Sequence, residues 1–315
     1  RRGGKGIKGA KVADDDPIEH LFVTSTHDYL LFFTNLGKVY WLKVYNLPEL
    51  ARDSKGRAVV NLLNFAEGET IADCRAVRDL KEADQYLMMA TRRGLVKKTE
   101  LSAYSRPMKT GIIAIKLREG DELVSVSQVA KGDEVLLATA GGMAIRFSES
   151  DARPMGRNAS GVKGINLLEG DELVGMVTAT PDATLLTATE QGYGKRTPFG
   201  ANAAAAEDST DEGGEDENGS ARYRTQNRGG KGLRDIKTTE RNGRVVGIAS
   251  VSDSDELIMM TARGKLQRIR AADVSVIGRN TQGVRIMSVD EGDTLSAIVR
   301  VPPEENDETD TPASE

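Results

Sequence analysis

Cysteine, histidine and aromatic residues are scarce in this 315-residue chain, and each shortage removes a class of function. The single cysteine, Cys74, allows no internal disulfide, which suits a reducing cytosol. Within Ile71-Ala72-Asp73-Cys74 it reads as a small buried apolar residue. The two histidines, His20 and His27, are too few and too badly spaced for a zinc site or a catalytic triad. His27 precedes Asp28 at a strand start and reads as a turn residue. Tyr45 and Tyr104 have no acidic metal cluster beside them, so neither is a credible nucleophile. Gly156 to Gly161 and Gly278 to Gly283 have the glycine spacing of a phosphate loop, but Val162 and Val284 stand where such a loop needs lysine. No apolar run approaches the roughly 18 residues of a membrane span, and no secretory signal is visible. The chain opens on Arg1 rather than Met, as a piece of a longer polypeptide would. The reading is of a chain with no catalytic centre and no metal site.

What is present is a repeat. Aligned on the last glycine of a cationic string, the chain places Gly6, Gly56, Gly111, Gly161, Gly232 and Gly283 at equivalent positions. Gly6-Ile7-Lys8-Gly9 matches Gly161-Val162-Lys163-Gly164, and Gly156-Arg157-Asn158 returns as Gly278-Arg279-Asn280. Each unit also holds a Gly-Asp turn, such as Gly120-Asp121, Gly170-Asp171 or Gly292-Asp293, feeding a Val/Ile-rich run. A third marker is a Thr three residues before a Gly: Thr34/Gly37, Thr91/Gly94, Thr139/Gly142, Thr189/Gly192 and Thr261/Gly264. An apolar strand precedes it and a basic strand follows. Apolar residues fall in short runs bounded by turn signals, with no convincing amphipathic helix. A period near fifty with about four strands per repeat is the signature of blades in a propeller-like array. The expectation is an all-β fold with one domain over residues 1–303, in six units beginning near 1, 52, 106, 157, 228 and 279.

The net charge of −5 hides a segregation. Seven acids and no base fill residues 207–217, and six acids and no base fill 304–315. Without those thirteen, 43 bases face 35 acids, so the bladed body is basic. Residues 201–224 read as a disordered acidic insertion and 304–315 as a disordered acidic tail. Tethered polyanions of this kind would compete for a basic track.

Cations recur in register. Arg2, Arg52, Arg157, Arg228 and Arg279 each stand four residues before the aligned glycine, with Arg106 displaced by one in the third unit. Lys98, Arg146, Arg196 and Arg268 each stand four residues after the hairpin glycine, where the first unit has Trp41. Equivalent positions in a radial array share radius and height, so two rings of cations would form a curved track for phosphates, read through charge without sequence preference. The cationic glycine strings, Arg1 to Gly6 and Gln226 to Gly232, would bring backbone N–H groups close to phosphate oxygens. The candidate DNA-binding set is Arg1, Arg2, Gly3, Gly4, Lys5, Gly6, Lys8, Arg52, Lys55, Arg57, Lys98, Arg106, Arg146, Arg157, Lys163, Arg196, Arg228, Lys231, Arg268 and Arg279.

These residues resemble the C-terminal domain of the DNA gyrase A subunit. Its hallmark box, Gln-Arg-Arg-Gly-Gly-Lys-Gly, is matched in its last six positions by Arg1 to Gly6. Further likeness lies in Thr26-His27-Asp28, Gly37-Lys38-Val39-Tyr40, Lys43-Val44-Tyr45, Gln191 to Thr197, Thr239 to Gly243 and Gly278 to Val284. The resemblance implies a six-bladed β-pinwheel that exchanges strands between blades and wraps double-stranded DNA around its edge. It implies partners too: the breakage-reunion part of gyrase A and gyrase B, in an A2B2 holoenzyme that introduces negative supercoils in the bacterial cytoplasm, at the nucleoid. ATP and Mg would belong to that holoenzyme and not to this domain, which would be monomeric alone. Departures are the acidic insertion and Asn227 in the second string, where the box has Arg. The corresponding domain of topoisomerase IV generally lacks an intact box. A propeller serving as a protein-interaction platform, its cations facing an acidic partner, is the alternative of another class.

Overall fold

The computed structural model describes residues 7–8, 24–47, 49, 62–106, 108–200 and 222–303. They form five four-stranded antiparallel sheets, and each sheet is built around one of the five Thr-x-x-Gly hairpins. The hairpins are Tyr29–Thr34 with Lys38–Lys43, Gln85–Thr91 with Leu95–Glu100, Glu134–Thr139 with Met143–Ser148, Thr184–Thr189 with Tyr193–Pro198, and Glu256–Thr261 with Lys265–Arg270. The threonine explains the marker: in four of the five hairpins its hydroxyl accepts the N–H of the residue after the glycine, as Thr139 does from Met143 and Thr261 from Lys265, both at 3.1 Å, and in the fourth the Thr189 hydroxyl donates to the Tyr193 carbonyl at 3.3 Å. Gly142 closes one such turn at φ +88°, and a Cβ there would lie 2.2 Å from the Ile236 carbonyl oxygen, so only glycine fits.

A longer strand flanks each hairpin on one side. In blade order these are Ile71–Val77, Leu123–Ala130, Leu173–Ala179, Val245–Val251 and Leu295–Val301. They touch one another in succession and line a central cavity of about 620 Å³. The Gly-Asp turn anchors such a strand to its hairpin, since the Asp171 carboxylate accepts the Gly141 N–H at the hairpin tip and the Glu172 N–H, both at 2.8 Å.

The fourth strand of each blade is two residues long and comes from elsewhere in the chain. Ile112–Ile113 pairs with the first hairpin, Val162–Lys163 with the second, Leu233–Arg234 with the third and Val284–Arg285 with the fourth. Ile7–Lys8, near the chain start, pairs with the fifth. The apolar cores lie between blades: Leu31 and Phe33 of the first meet Leu87 and Met89 of the second, and Leu186 and Ala188 of the fourth meet Leu257 and Met259 of the fifth. Each such fully buried Leu, Phe or Met side chain contributes roughly 1.5–3 kcal/mol.

The expected six blades are corrected to five among the described residues. Five of the six aligned glycines lead into a donated strand, one for each of the five described hairpins, and the sixth, Gly56, lies outside the described residues, so the strings outnumber the described blades by one. Of the expected disordered insertion 201–224, residues 201–221 lie outside the described residues, as does the tail 304–315, while the end of that insertion is corrected: Tyr223 is buried in the core beside Phe199.

Candidate nucleic-acid interface

The donated strands form the outer edge of each blade, opposite the strands that line the central cavity. Their second residue is exposed wherever its side chain is described, and it is Ile113, Lys163, Arg234 or Arg285. Lys8 holds the same backbone position in the fifth blade. Three of the four described positions are therefore cations at one height on the edge. Sequence reasoning missed Arg234 and Arg285. The signal was available, because both stand two residues after an aligned glycine, as Lys8 and Lys163 do.

The arginines of the glycine strings join these strands in series. Arg157 Nη1 donates to the Ile113 carbonyl at 3.1 Å, Arg228 Nη1 donates to the Lys163 carbonyl, and Arg279 Nη1 donates to the Arg234 carbonyl at 3.3 Å. Each guanidinium thus spends one arm bracing the preceding donated strand and stays half-buried at the edge. Lys163, Arg234 and Arg285 stand exposed in the donated-strand register, and Lys231 and Lys237, within three residues of Leu233–Arg234 in the chain, are exposed as well. Arg106 is also exposed.

The glycines of the second string serve packing. Gly232, at φ +79°, lies where a Cβ would be 2.4 Å from the Ala144 carbonyl oxygen of the receiving strand. The Gly229 N–H donates to the Gly164 carbonyl at 2.8 Å. The expectation that this amide faces a phosphate is corrected accordingly. Arg1 to Gly6, Arg52, Lys55 and Arg57 lie outside the described residues.

The second expected ring is corrected more sharply. Lys98, Arg146 and Arg196 are buried, and each holds adjoining blades together. Lys98 Nζ pairs with the Glu149 carboxylate and donates to the Glu149 carbonyl at 3.0 Å. Arg146 pairs with Glu134 at 2.5 Å and donates to the carbonyls of Phe199 at 2.7 Å and Tyr223 at 3.1 Å. Arg196 pairs with Asp253 and donates to the Val274 carbonyl at 3.0 Å. Both faces of a hairpin strand are covered here by neighbouring blades or loops, so a charge in mid-strand becomes a clasp. Arg268, in the fifth blade, is exposed and paired with Glu256.

One position earlier, Lys97 is fully buried and donates to the carbonyls of Ala114, Gly156 and Arg157. It therefore grips the loop that presents Arg157. Burial, with the Arg157 charge adding to it, brings its pKa down from 10.5 to about 7. Between pH 7 and 10.5 the unfolded chain holds a proton that the folded chain does not, so stability rises with pH across that window and is flat below it. The slope contributed by one such group is at most about 1.4 kcal/mol per pH unit. Lys97→Met is expected to remove that part of the slope in urea unfolding measured from about pH 6 to 9.5. A slope identical to that of the unaltered chain would assign the proton uptake to another group.

Of the remaining candidates, Cys74 is buried, and burial first and the Asp73 charge second push its thiol up to about 12, so it is inert as a nucleophile. Tyr104 is buried, with its hydroxyl on the Ala114 carbonyl at 3.1 Å. Among the described residues no helix is long and apolar enough to cross a membrane.

A propeller-like array of strand-exchanging four-stranded blades, bearing cations in register on its donated edge, defines a β-pinwheel with a cationic rim. The family model described as DNA gyrase C-terminal domain, beta-propeller, matches residues 1–25, 28–78, 85–130, 133–180, 183–200, 221–252 and 255–302, and the chain belongs to that family. It is 41% identical over 307 residues to the DNA gyrase A subunit of Staphylococcus epidermidis, covering 97% of this chain and 32% of that protein. It is 43% identical over 302 residues to the DNA gyrase A subunit of Mycolicibacterium smegmatis, covering 95% and 33%. The chain thus spans about a third of the length of these relatives. A solved DNA gyrase A C-terminal domain superposes with TM-score 0.78 at 28% identity, covering 95% of this chain and 91% of that one. The C-terminal domain of DNA topoisomerase IV superposes with TM-score 0.71 at 26% identity, covering 88% and 80%.

Proposed function

We propose that the chain binds duplex DNA without sequence preference and bends it along the donated-strand edge, and that within gyrase A it gives the holoenzyme its capacity for negative supercoiling. The carrying observation is the register of Lys163, Arg234 and Arg285, one cation per blade at one strand position, with the string arginines bridging from each donated strand to the next. A curved series of cations meets the phosphates of a bent duplex and offsets an elastic cost of roughly 1–6 kcal/mol per short bent site. Among the described residues the edge carries no groove-reading helix, so recognition rests on charge and shape. Within the holoenzyme the partners are gyrase B and the breakage-reunion part of gyrase A, where ATP and Mg act. The anchoring role expected for Arg2 and Lys5 in the first string belongs to the same reading.

Two unrelated random-sequence duplexes, titrated from about 50 to 200 mM salt, test this. Both are expected to bind equally and to lose about 10³–10⁵ in affinity over that range, as six to ten phosphate contacts require. Binding to an acidic protein with no affinity for either duplex would favour the protein-interaction platform instead.

A further inference from the structure

The fourth blade carries a feature that its siblings lack. At the register pair joining hairpin to donated strand, the other blades place Lys38 opposite Ile113, Leu95 opposite Lys163, Met143 opposite Arg234 and Lys265 opposite Lys8. The fourth places Tyr193 opposite Arg285. A second guanidinium reaches the same ring: Arg241 Nε and Arg285 Nη2 each donate to Tyr193 Oη at 3.2 Å, with guanidinium carbons 5.3 and 5.5 Å from the ring centroid. Both arginines are exposed, the tyrosine is only 6% exposed, and among the described residues no carboxylate lies within ion-pairing distance of either guanidinium.

The arrangement is braced from below. Asn242, fully buried, accepts from the Thr239 N–H at 2.7 Å and donates to the carbonyls of Lys237 at 3.0 Å and Gln282 at 3.1 Å. It ties the loop that carries Arg241 to the string that leads into Arg285. Two like charges are thus held around one phenol oxygen, where the repulsion is relieved by an anion. A phosphate oxygen between them takes charge-assisted hydrogen bonds from both forks, and the phenol O–H remains as a third donor. The hydrogen bonds from Arg241 and then Arg285 lower the phenol's pKa, which makes that O–H a stronger donor.

We infer that Arg241, Arg285 and Tyr193 form a phosphate clamp on the fourth blade, a fixed anchor for one backbone phosphodiester within an otherwise diffuse track. The inference rests on the DNA-binding reading for its ligand, since Arg285 lies in the register of the rim cations, but the site's chemistry suits any phosphate group.

The 315-residue chain and four variants, Tyr193→Phe, Arg285→Lys, the pair Arg241→Gln with Arg285→Gln, and the comparator pair Lys231→Gln with Lys237→Gln, are titrated with a random-sequence duplex and separately with inorganic phosphate. The phosphate titration is followed by the arginine Nε–H signals in NMR. Tyr193→Phe keeps ring and charges but loses the third donor, and is expected to weaken duplex binding about threefold or more with an unchanged salt slope. Arg285→Lys keeps the charge but not the fork and should weaken it likewise. The Arg241 and Arg285 pair should cost more than the comparator pair, and phosphate should shift both Nε–H signals in the unaltered chain alone. Wild-type affinity in both Tyr193→Phe and Arg285→Lys, with equal losses in the two Gln pairs, overturns the clamp. Phosphate shifts without any duplex binding would keep the clamp for a small phosphate ligand and reject the DNA reading. An absence of both overturns both.

Discussion

Replacing Asp235 with Ala is expected to remove about 3–5 kcal/mol of stability, a large share of the roughly 5–15 kcal/mol typical of a folded domain. Asp235, directly after the donated strand Leu233–Arg234, is 1% exposed and gathers three partners from the fourth hairpin and the segment before that strand. Lys195 Nζ pairs with one carboxylate oxygen at 2.9 Å, Thr187 donates to the other at 2.7 Å, and the Tyr223 hydroxyl donates as well. Lys195 is itself fully buried, and burial lowers its pKa against the opposing pull of Asp235. Without the carboxylate the ammonium keeps only the Thr197 hydroxyl at 2.7 Å among these side chains and is left without a compensating charge. The double substitution Asp235→Ala with Lys195→Met removes the stranded charge and should recover part of the loss, because an apolar replacement of a whole buried pair is far better tolerated than half a pair. Urea unfolding of the single and double variants measures this. A single variant as stable as the unaltered chain, or a double variant worse than the single, would show that the pair does not join these elements.

Neutralising five exposed edge cations at once, Lys163, Lys231, Arg234, Lys237 and Arg285 to Gln, should lower duplex affinity by about 10³–10⁴ at roughly 100 mM salt. Each cation lost removes about 0.9 from the slope of log affinity against log salt, so the slope should flatten by roughly 4 to 5. None of the five is a buried clasp, so the melting temperature should stay close to that of the unaltered chain. Exposed cations away from the donated edge, Arg78, Lys81 and Lys131, are the control. Their substitution should change affinity far less per charge. Equal losses per charge in the two sets would mean that binding follows net charge and that the edge has no special part.

Much of this architecture was legible because local chemistry carries it. The Thr-x-x-Gly pattern marks a hairpin through a hydroxyl-to-backbone bond that spans one turn, and the Gly-Asp turn marks an anchor whose acceptor and first donor are adjacent. The blade count of the described residues was not legible from the glycine strings, since the string ending in Gly56 lies outside them and each other string, such as that ending in Gly232, completes a hairpin elsewhere in the chain. The family resemblance identified the domain correctly but brought the same count of six. Among the cations, the sequence register puts Arg146 on the track and passes over Arg234. Only the packing of the next blade makes one a clasp to Phe199 and Tyr223 and leaves the other exposed on the edge. Asp235 drew no attention because Lys195, 40 residues upstream, has no sequence relation to it.

If the edge bends duplex DNA into a wrap, the linking number of a closed circle records it. A nicked circle closed by ligase in the presence of the chain, then stripped of protein, should give topoisomers displaced from the protein-free distribution, with a displacement that grows with protein until the circle is saturated. The variant lacking all five edge cations should give none at the same concentration. An unshifted ladder at saturating unaltered chain, with the duplex demonstrably bound, would contradict wrapping and leave only electrostatic adhesion to the rim.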